Sequence, residues 1–209
     1  MESGGLTQID WSTPWFAPWR DVGERVQARW RDEPLHEALN RGADGSLRFV
    51  AQDELPPGEA YEAHIFHTRT CPTRDNLHDF FNGLCWQAFP QAKRQLNRLQ
   101  AHEIATGGVG AARGPVRDAI TVFDENGALL QAPQPLWDAL LARDWHKLFI
   151  DLRPVWADAK LTIFGHALLE KLVIPRKDLT AHAPHSLAIA RTRPTIDRQS
   201  HSVGRLIPA

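Results

Sequence analysis

The residues best placed to do chemistry sit together in TRDNLHDFFN, residues 73–82. Asp75 or Asn76 suits a helix N-cap, because its side-chain oxygen can accept an unpaired N–H of the first turn. Arg74 stands just before that helix and could hold an anion together with the same N–H groups. His78 titrates near neutrality, so it could carry a proton or ligate a metal, oriented by Asp79 or Asn82. One helical turn thus offers a positive clamp, a proton carrier and carboxylates. The competing reading is structural, since short polar residues at a helix start commonly cap and hydrogen-bond without any further role.

A second candidate is His166-x3-Glu170, four residues apart on one helix face, where the two could share a metal. No second His follows at zinc-protease spacing, and a plain His–Glu hydrogen bond is the simpler meaning. Asp118 and Asp124 flank AITVF (119–123) and carry the hard oxygens that Mg²⁺ prefers, although DENG is also a good turn. His64, His67, Cys71, His78 and Cys85 are zinc-type ligands, but they lack knuckle spacing. The candidate cofactor is therefore a divalent metal, Mg²⁺ or Zn²⁺, with Asp118, Asp124, His166 and Glu170 as its candidate ligands. No GxSxG elbow supports a serine hydrolase, and GGVGAARGP (107–115) does not match a nucleotide-binding fingerprint.

The elements that must position these groups follow from periodicity and breakers. Residues 75–89 predict the best-marked helix, with Leu77, Phe80, Phe81, Leu84 and Ala88 on one side and Asp75, His78, Asp79 and Asn82 opposite. Cys85, Trp86 and Phe89 continue that second side, so its later half is expected to be buried all round and its polar half to face a cleft or an internal network. Pro90 predicts the start of a second helix with Ala92, Leu96 and Leu99 inward and Lys93, Arg94 and Arg98 outward. YEAHIFH (61–67) reads as a strand, CPTRD as a turn, AITVF as a central strand, and DENGALL as its hairpin through Asn126-Gly127. Pro18, Pro34 and Pro135 each suit a helix start, and a final helix is expected near 158–173. WSTPWFAPW predicts an aromatic arm holding the N-terminus to the core, or else a partner contact.

At 209 residues with 43% hydrophobic content the chain suits one domain with a real core. The expectation is a single mainly helical α+β domain over 1–180, with a small antiparallel sheet or hairpin, and an irregular basic tail over 181–209. A net charge of −1 from 24 basic and 25 acidic residues argues against a dedicated duplex-binding protein. Two cysteines do not make a secreted disulfide scaffold, MESGGLTQIDW lacks a signal-peptide core, and nothing approaches a membrane span. Together these features predict a cytoplasmic protein with no membrane partner.

NLHDFFNGLCWQAFPQAKRQLNRLQ resembles a bacterial family of uncharacterised proteins, domain of unknown function 3025. The likeness extends to RDAITVFDENGALL and to FGHALLEKL followed by PRKDLTAHA, covering most of residues 60–185. It implies that these blocks belong to one domain, and it carries no activity or catalytic assignment.

The functional expectation is a hydrolase-like enzyme acting on an anionic or phosphate-bearing small molecule, with metal assistance as an option. Arg74 holds the anion in that reading, His78 transfers the proton, and Asp79 and Asn82 orient the site. The alternatives are a protein-binding or homo-oligomeric assembly module using the Trp-rich arm and basic tail, and a binder of small molecules or nucleic acid. A wet pocket gathering Arg74, His78 and Asp79 with 118–124 or 166–170 would favour chemistry, whereas a flat apolar patch at Trp11, Trp15 and Trp19 would favour a partner.

Overall fold

A computed structural model describes residues 9–108 and 114–184, so residues 185–209 of the expected tail and 109–113 of the glycine-rich link lie outside the described residues. The chain is mainly helical, with two sheets of two strands each. Helices α1 (Arg20–Trp30) and α2 (Leu35–Asn40) follow Pro18 and Pro34 as expected. The aromatic arm joins the core instead of offering a surface. Trp11, Phe16 and Trp19 are buried, Phe16 stacks on Phe81 at 5.7 Å, and the Trp11 indole donates to Gln27 at 2.6 Å. Trp11 and Trp19 are thus spent on the core, and Trp15 packs half-buried against it.

Strand β1 (Arg48–Ala51), helix α3 (Tyr61–Thr68) and strand β2 (Thr70–Thr73) form a small crossover unit with the strands parallel. This corrects two expectations, a strand at 61–67 and a turn at CPTRD. Seven residues of apparent alternation fit two helical turns equally well, and this segment carries one β-branched residue, Ile65, to favour a strand. Helix α3 ends where Arg69 adopts a left-handed conformation, φ 59°, which turns the chain directly into β2.

Helix α4 (Leu77–Ala88) is the axis of the fold, with Asn76 as N-cap accepting the Asp79 N–H at 2.8 Å. Every residue from Asp79 to Trp86 is buried, as expected from a second face that turns apolar. Helix α5 (Pro90–Gly107) starts at its proline but is rotated from the expected orientation. Lys93, Asn97 and Gln100 are buried, while Leu99 is exposed. The hydrophobic stripe loses here because the neighbouring elements supply polar partners for the other face.

AITVF lies in helix α6 (Pro115–Asn126), not in a central strand. A short apolar run is ambiguous, and Pro115 in the first turn with Asp118 behind it are helix-start signals. Asn126-Gly127 forms no hairpin. Gly127 has an ordinary φ of −72°, and glycine is required because a Cβ would strike the Phe123 carbonyl oxygen. Strand β3 (Ala128–Gln131) instead pairs antiparallel with β4 (Lys160–Ile163). The final helix expected over 158–173 is thus split into β4 and the shorter α8 (His166–Lys171). Between these strands, α7 (Gln134–Leu141) and two irregular helical turns build a second small core around Leu136, Ala139 and Leu148. Among the described residues, no helix is long and apolar enough to cross a membrane.

Candidate functional site

Helices α3, α4, α5, α6 and α8 surround a polar cavity of about 550 Å³. Capping by Asn76 sets the rotation of α4, so His78, Asp79 and Asn82 line the cavity while Phe80, Phe81 and Leu84 enter the core. Asp75 is spent elsewhere, accepting from the Trp30 indole at 3.0 Å and the Leu35 N–H at 2.8 Å.

Arg74 and Asp79 close on each other at the cavity lip. The guanidinium donates to both carboxylate oxygens at 3.0 and 2.9 Å, and the Arg74 backbone N–H adds a third bond at 2.7 Å. The hydrogen bond to Asp79 raises the Arg74 pKa further. Asp79 therefore serves Arg74, and it is Glu170 that orients His78.

His78 is held at both ring nitrogens. Its Nδ1 lies 2.9 Å from Glu170 Oε2, and its Nε2 lies 3.1 Å from His166 Nε2, with the two rings edge to face. One proton must lie between two imidazole nitrogens at that distance, and environment decides its owner. The hydrogen bond that His78 donates to Glu170 pushes the His78 pKa up, whereas burial, then Lys93, pushes that of His166 down to about 3. The opposed shifts favour the shared proton on His78, which then donates from Nε2 to His166 Nε2. The His166 proton then sits on Nδ1, which is buried without a hydrogen-bond partner and lies 3.6 Å from Asp124 Oδ2.

Asp124 carries the chain inward. Lys93 Nζ, on a side chain only 5% exposed, donates to its oxygens at 2.6 and 2.8 Å and to Asn82 Oδ1 at 2.9 Å. Burial is the largest single influence and opposes the Lys93 charge, but Asp124, with Cys85 and Glu62, together outweigh it and the net pKa is raised. Asn82 Nδ2 reaches Tyr61 Oη at 3.3 Å, and that hydroxyl contacts Cys71 Sγ at 3.1 Å. Burial drives the Tyr61 pKa well up and the Cys71 thiol to about 12, so both stay neutral at this inner end. From Glu170 to Cys71 the polar contacts are consecutive, broken only by the longer His166–Asp124 approach.

Of the residues singled out from sequence, His78, Asp79, Asn82, Arg74, Asp124 and His166 line this cavity. Glu170 reaches it through His78 and also borders a neighbouring, more apolar groove with Leu77, Val173 and Ile174. His166 and Glu170 do not bond to each other but bracket His78. Asp118 is exposed on α6 and is not among the lining residues. Among the described residues, no three His, Cys, Asp or Glu side chains are grouped to hold a metal ion. The zinc-type set is dispersed, with His64 on Glu59 and Thr70, Cys71 on Tyr61, and Cys85 donating to the Phe164 carbonyl at 3.2 Å.

Sequence reasoning missed Lys93, Asn97, Gln100, Arg117, Tyr61 and Glu62, all of which line the cavity. A signal existed, because Lys93, Asn97 and Gln100 recur at i, i+4 and i+7, as do Arg117, Thr121 and Asp124. Two polar stripes at helical spacing mark two helices facing a common polar space.

The chain matches the model of a family described as protein of unknown function, DUF3025, over residues 47–204. No curated protein and no solved structure matches it. The matched span takes in every cavity residue named above, from Tyr61 to Glu170, and more than half of the chain. The chain belongs to the DUF3025 family.

Proposed function

We propose that this protein is a hydrolase-like enzyme that performs general acid–base chemistry on a small anionic substrate in the polar cavity. One observation carries the reading, the Glu170–His78–His166–Asp124 arrangement along the cavity wall. A protonated imidazole beside a neutral one, bracketed by two carboxylates, is a proton donor whose recovery is built in. A purely structural network needs no such pair of opposed pKa shifts.

His78 is the acid. Its Nε2 proton, shared with His166 Nε2 before substrate binds, passes to the leaving-group oxygen of a bound ester as that oxygen departs. The neutral ring then takes the proton released by the attacking water, and the imidazolium is restored. Glu170 holds the ring through Nδ1, while Lys93 and Asn82 supply positive potential and hydrogen-bond donors to developing negative charge. The carboxylates and imidazoles are also metal-competent donors, so a divalent ion is tested as an optional partner.

The test is turnover against a panel of phosphate monoesters, phosphate diesters and carboxylic esters, run with Mg²⁺, with Zn²⁺ and with chelator. Wild type is compared with His78→Gln and His166→Asn. Turnover by wild type that falls at least about a hundredfold in His78→Gln supports the reading. Turnover unchanged in that variant, or none with any ester in any metal condition, overturns it.

A further inference from the structure

The cavity's long axis is set by two polar stripes running in opposite senses, Lys93, Asn97 and Gln100 on α5 and Asp124, Thr121 and Arg117 on α6. Lys93 bonds Asp124 and Gln100 donates to Thr121 at 2.9 Å, so successive residues of one helix meet successive residues of the other. Arg117 therefore lies toward the far end from Asp124. Seven residues of helix at 1.5 Å each place it about 10 Å away along the axis.

The two ends differ in what they leave unmet. Near His78 the charges are matched, Glu170 with His78, Asp124 with Lys93, and Asp79 with Arg74. Arg117 makes no hydrogen bond or ion pair among the described residues, and its Nε is buried without an acceptor. A buried donor with nothing to donate to is unfavourable until something supplies an acceptor. Glu62 is a poor candidate for that role. One of its oxygens accepts from Asn97 at 2.6 Å, and although Arg117 draws its pKa down, burial is the larger influence and the net shift is upward, toward the neutral form. Between the ends, Asn97 and Gln100 spend their amide N–H groups on Glu62 and Thr121, and no described residue donates to their amide oxygens.

From this distribution we infer that Arg117 seats a carboxylate or phosphate group of the ligand. That anion is a recognition group, held about 10 Å from the His78 end where the reacting bond lies. The intervening part carries hydroxyl or N–H groups that donate to Asn97 and Gln100. Arg74, which the sequence offers for this role, is occupied by Asp79. The inference rests on reading the cavity as a small-molecule site, and it concerns binding, not turnover.

Three probes test it by calorimetric or NMR titration of the full chain: glycerol 3-phosphate, 4-hydroxybutyrate and uncharged glycerol. One or both anions bind wild type more tightly than glycerol, and the stronger identifies the preferred anion. Arg117→Gln weakens that binding at least about tenfold, the loss of one charge-assisted contact. Arg117→Lys restores part of it, whereas Arg74→Gln, which removes a guanidinium already paired with Asp79, binds as wild type does. Equal binding by Arg117→Gln, a loss that falls on Arg74→Gln instead, or anions that bind no better than glycerol would each overturn the inference. Binding through Arg117 without turnover of any ester sinks the acid–base reading alone. Turnover dependent on His78 with a KM untouched by Arg117→Gln sinks this inference alone.

Discussion

Replacing Lys93 by Met is the sharpest perturbation of this molecule, because it deletes one charge and keeps the volume. In the wild type, Lys93 Nζ lies 2.6 and 2.8 Å from the Asp124 oxygens and 2.9 Å from Asn82 Oδ1, and it stands over the Trp86 ring at 5.5 Å. Among the described residues, the variant leaves Asp124, whose side chain is 18% exposed, with only the His166 Nδ1 at 3.6 Å to face it. Breaking a buried ion pair from one side costs about 3–5 kcal/mol, and contact with the open cavity places this case near 3. Urea unfolding followed by fluorescence of the eight Trp reads the loss directly. Lys93→Met combined with Asp124→Asn removes the stranded charge and is expected to recover about 1–3 kcal/mol relative to the single variant. The pH dependence adds a second check. Lys93 helps hold the His166 pKa down while Asp124 draws it up, so without Lys93 the ring protonates more readily and replaces the missing cation beside Asp124. The deficit of Lys93→Met therefore shrinks as pH falls. A loss under about 1 kcal/mol at pH 7, or a double variant no better than the single one, would refute the claim that Lys93 and Asp124 form a buried, mutually dependent pair.

Other perturbations test other parts of the same arrangement. His78, whose folded pKa is raised above 6.5, contributes stability that is present below 6.5 and lost as pH rises through the folded value; His166, depressed to about 3, contributes stability present above 6.5 and lost between 6.5 and 3. His78→Gln should flatten the alkaline limb of a stability–pH curve and His166→Asn the acid limb, and the reverse assignment would show the proton to be misplaced. Gly165→Ala should cost about 1–3 kcal/mol and lower any His78-dependent turnover, because a Cβ there strikes the Glu125 carbonyl and prises α8 from α6; a variant as stable and active as wild type in melting and turnover assays contradicts this. Burial raises the pKa of both Cys71 and Cys85, so neither thiol should react with a disulfide reagent at pH 8 while both react in urea, and rapid labelling of either in the folded chain would show the core to be open.

The legible parts of this fold were those where local chemistry and tertiary demand agree. Asn76 is a good cap with a strong apolar stripe behind it, and α4 starts where both signals place it. Pro90 opens a helix because a proline costs nothing at a first turn, and Pro34 stands one residue earlier, as the N-cap of α2. AITVF and YEAHIFH failed for one shared reason, since four to seven apolar-rich residues fit either period and only distant partners decide. For YEAHIFH the decision comes from packing of α3 on α5, and for AITVF from Asp124 meeting Lys93. The antiparallel pair was expected but misplaced, because the partner of β3 is β4, some thirty residues on, and no turn motif announces so distant a strand. His78, Asp124, His166 and Glu170 were each visible as candidates. Their convergence was not, because the placement of α8 against α6 depends on Gly165 fitting under the Glu125 carbonyl.

The error on α5 bears most directly on function. Ordinary patterning would bury Leu96 and Leu99 and leave Lys93 in water, yet Leu99 is 37% exposed and Lys93 is 4% exposed. Buried Lys93, Asn97 and Gln100 require matched partners on α3, α4 and α6, and an apolar face of similar volume would commonly give equal or greater stability. Folding alone therefore does not explain why five helices present polar side chains to a cavity that leaves Arg117 Nε and His166 Nδ1 without a hydrogen bond. Local rules are broken mainly where a site must be built, and here the breaches fall together along one wall of one cavity. That concentration distinguishes a site from a scatter of tolerated polar residues, and it makes the α5–α6 stripes, more than the His78 turn alone, the place to look for substrate.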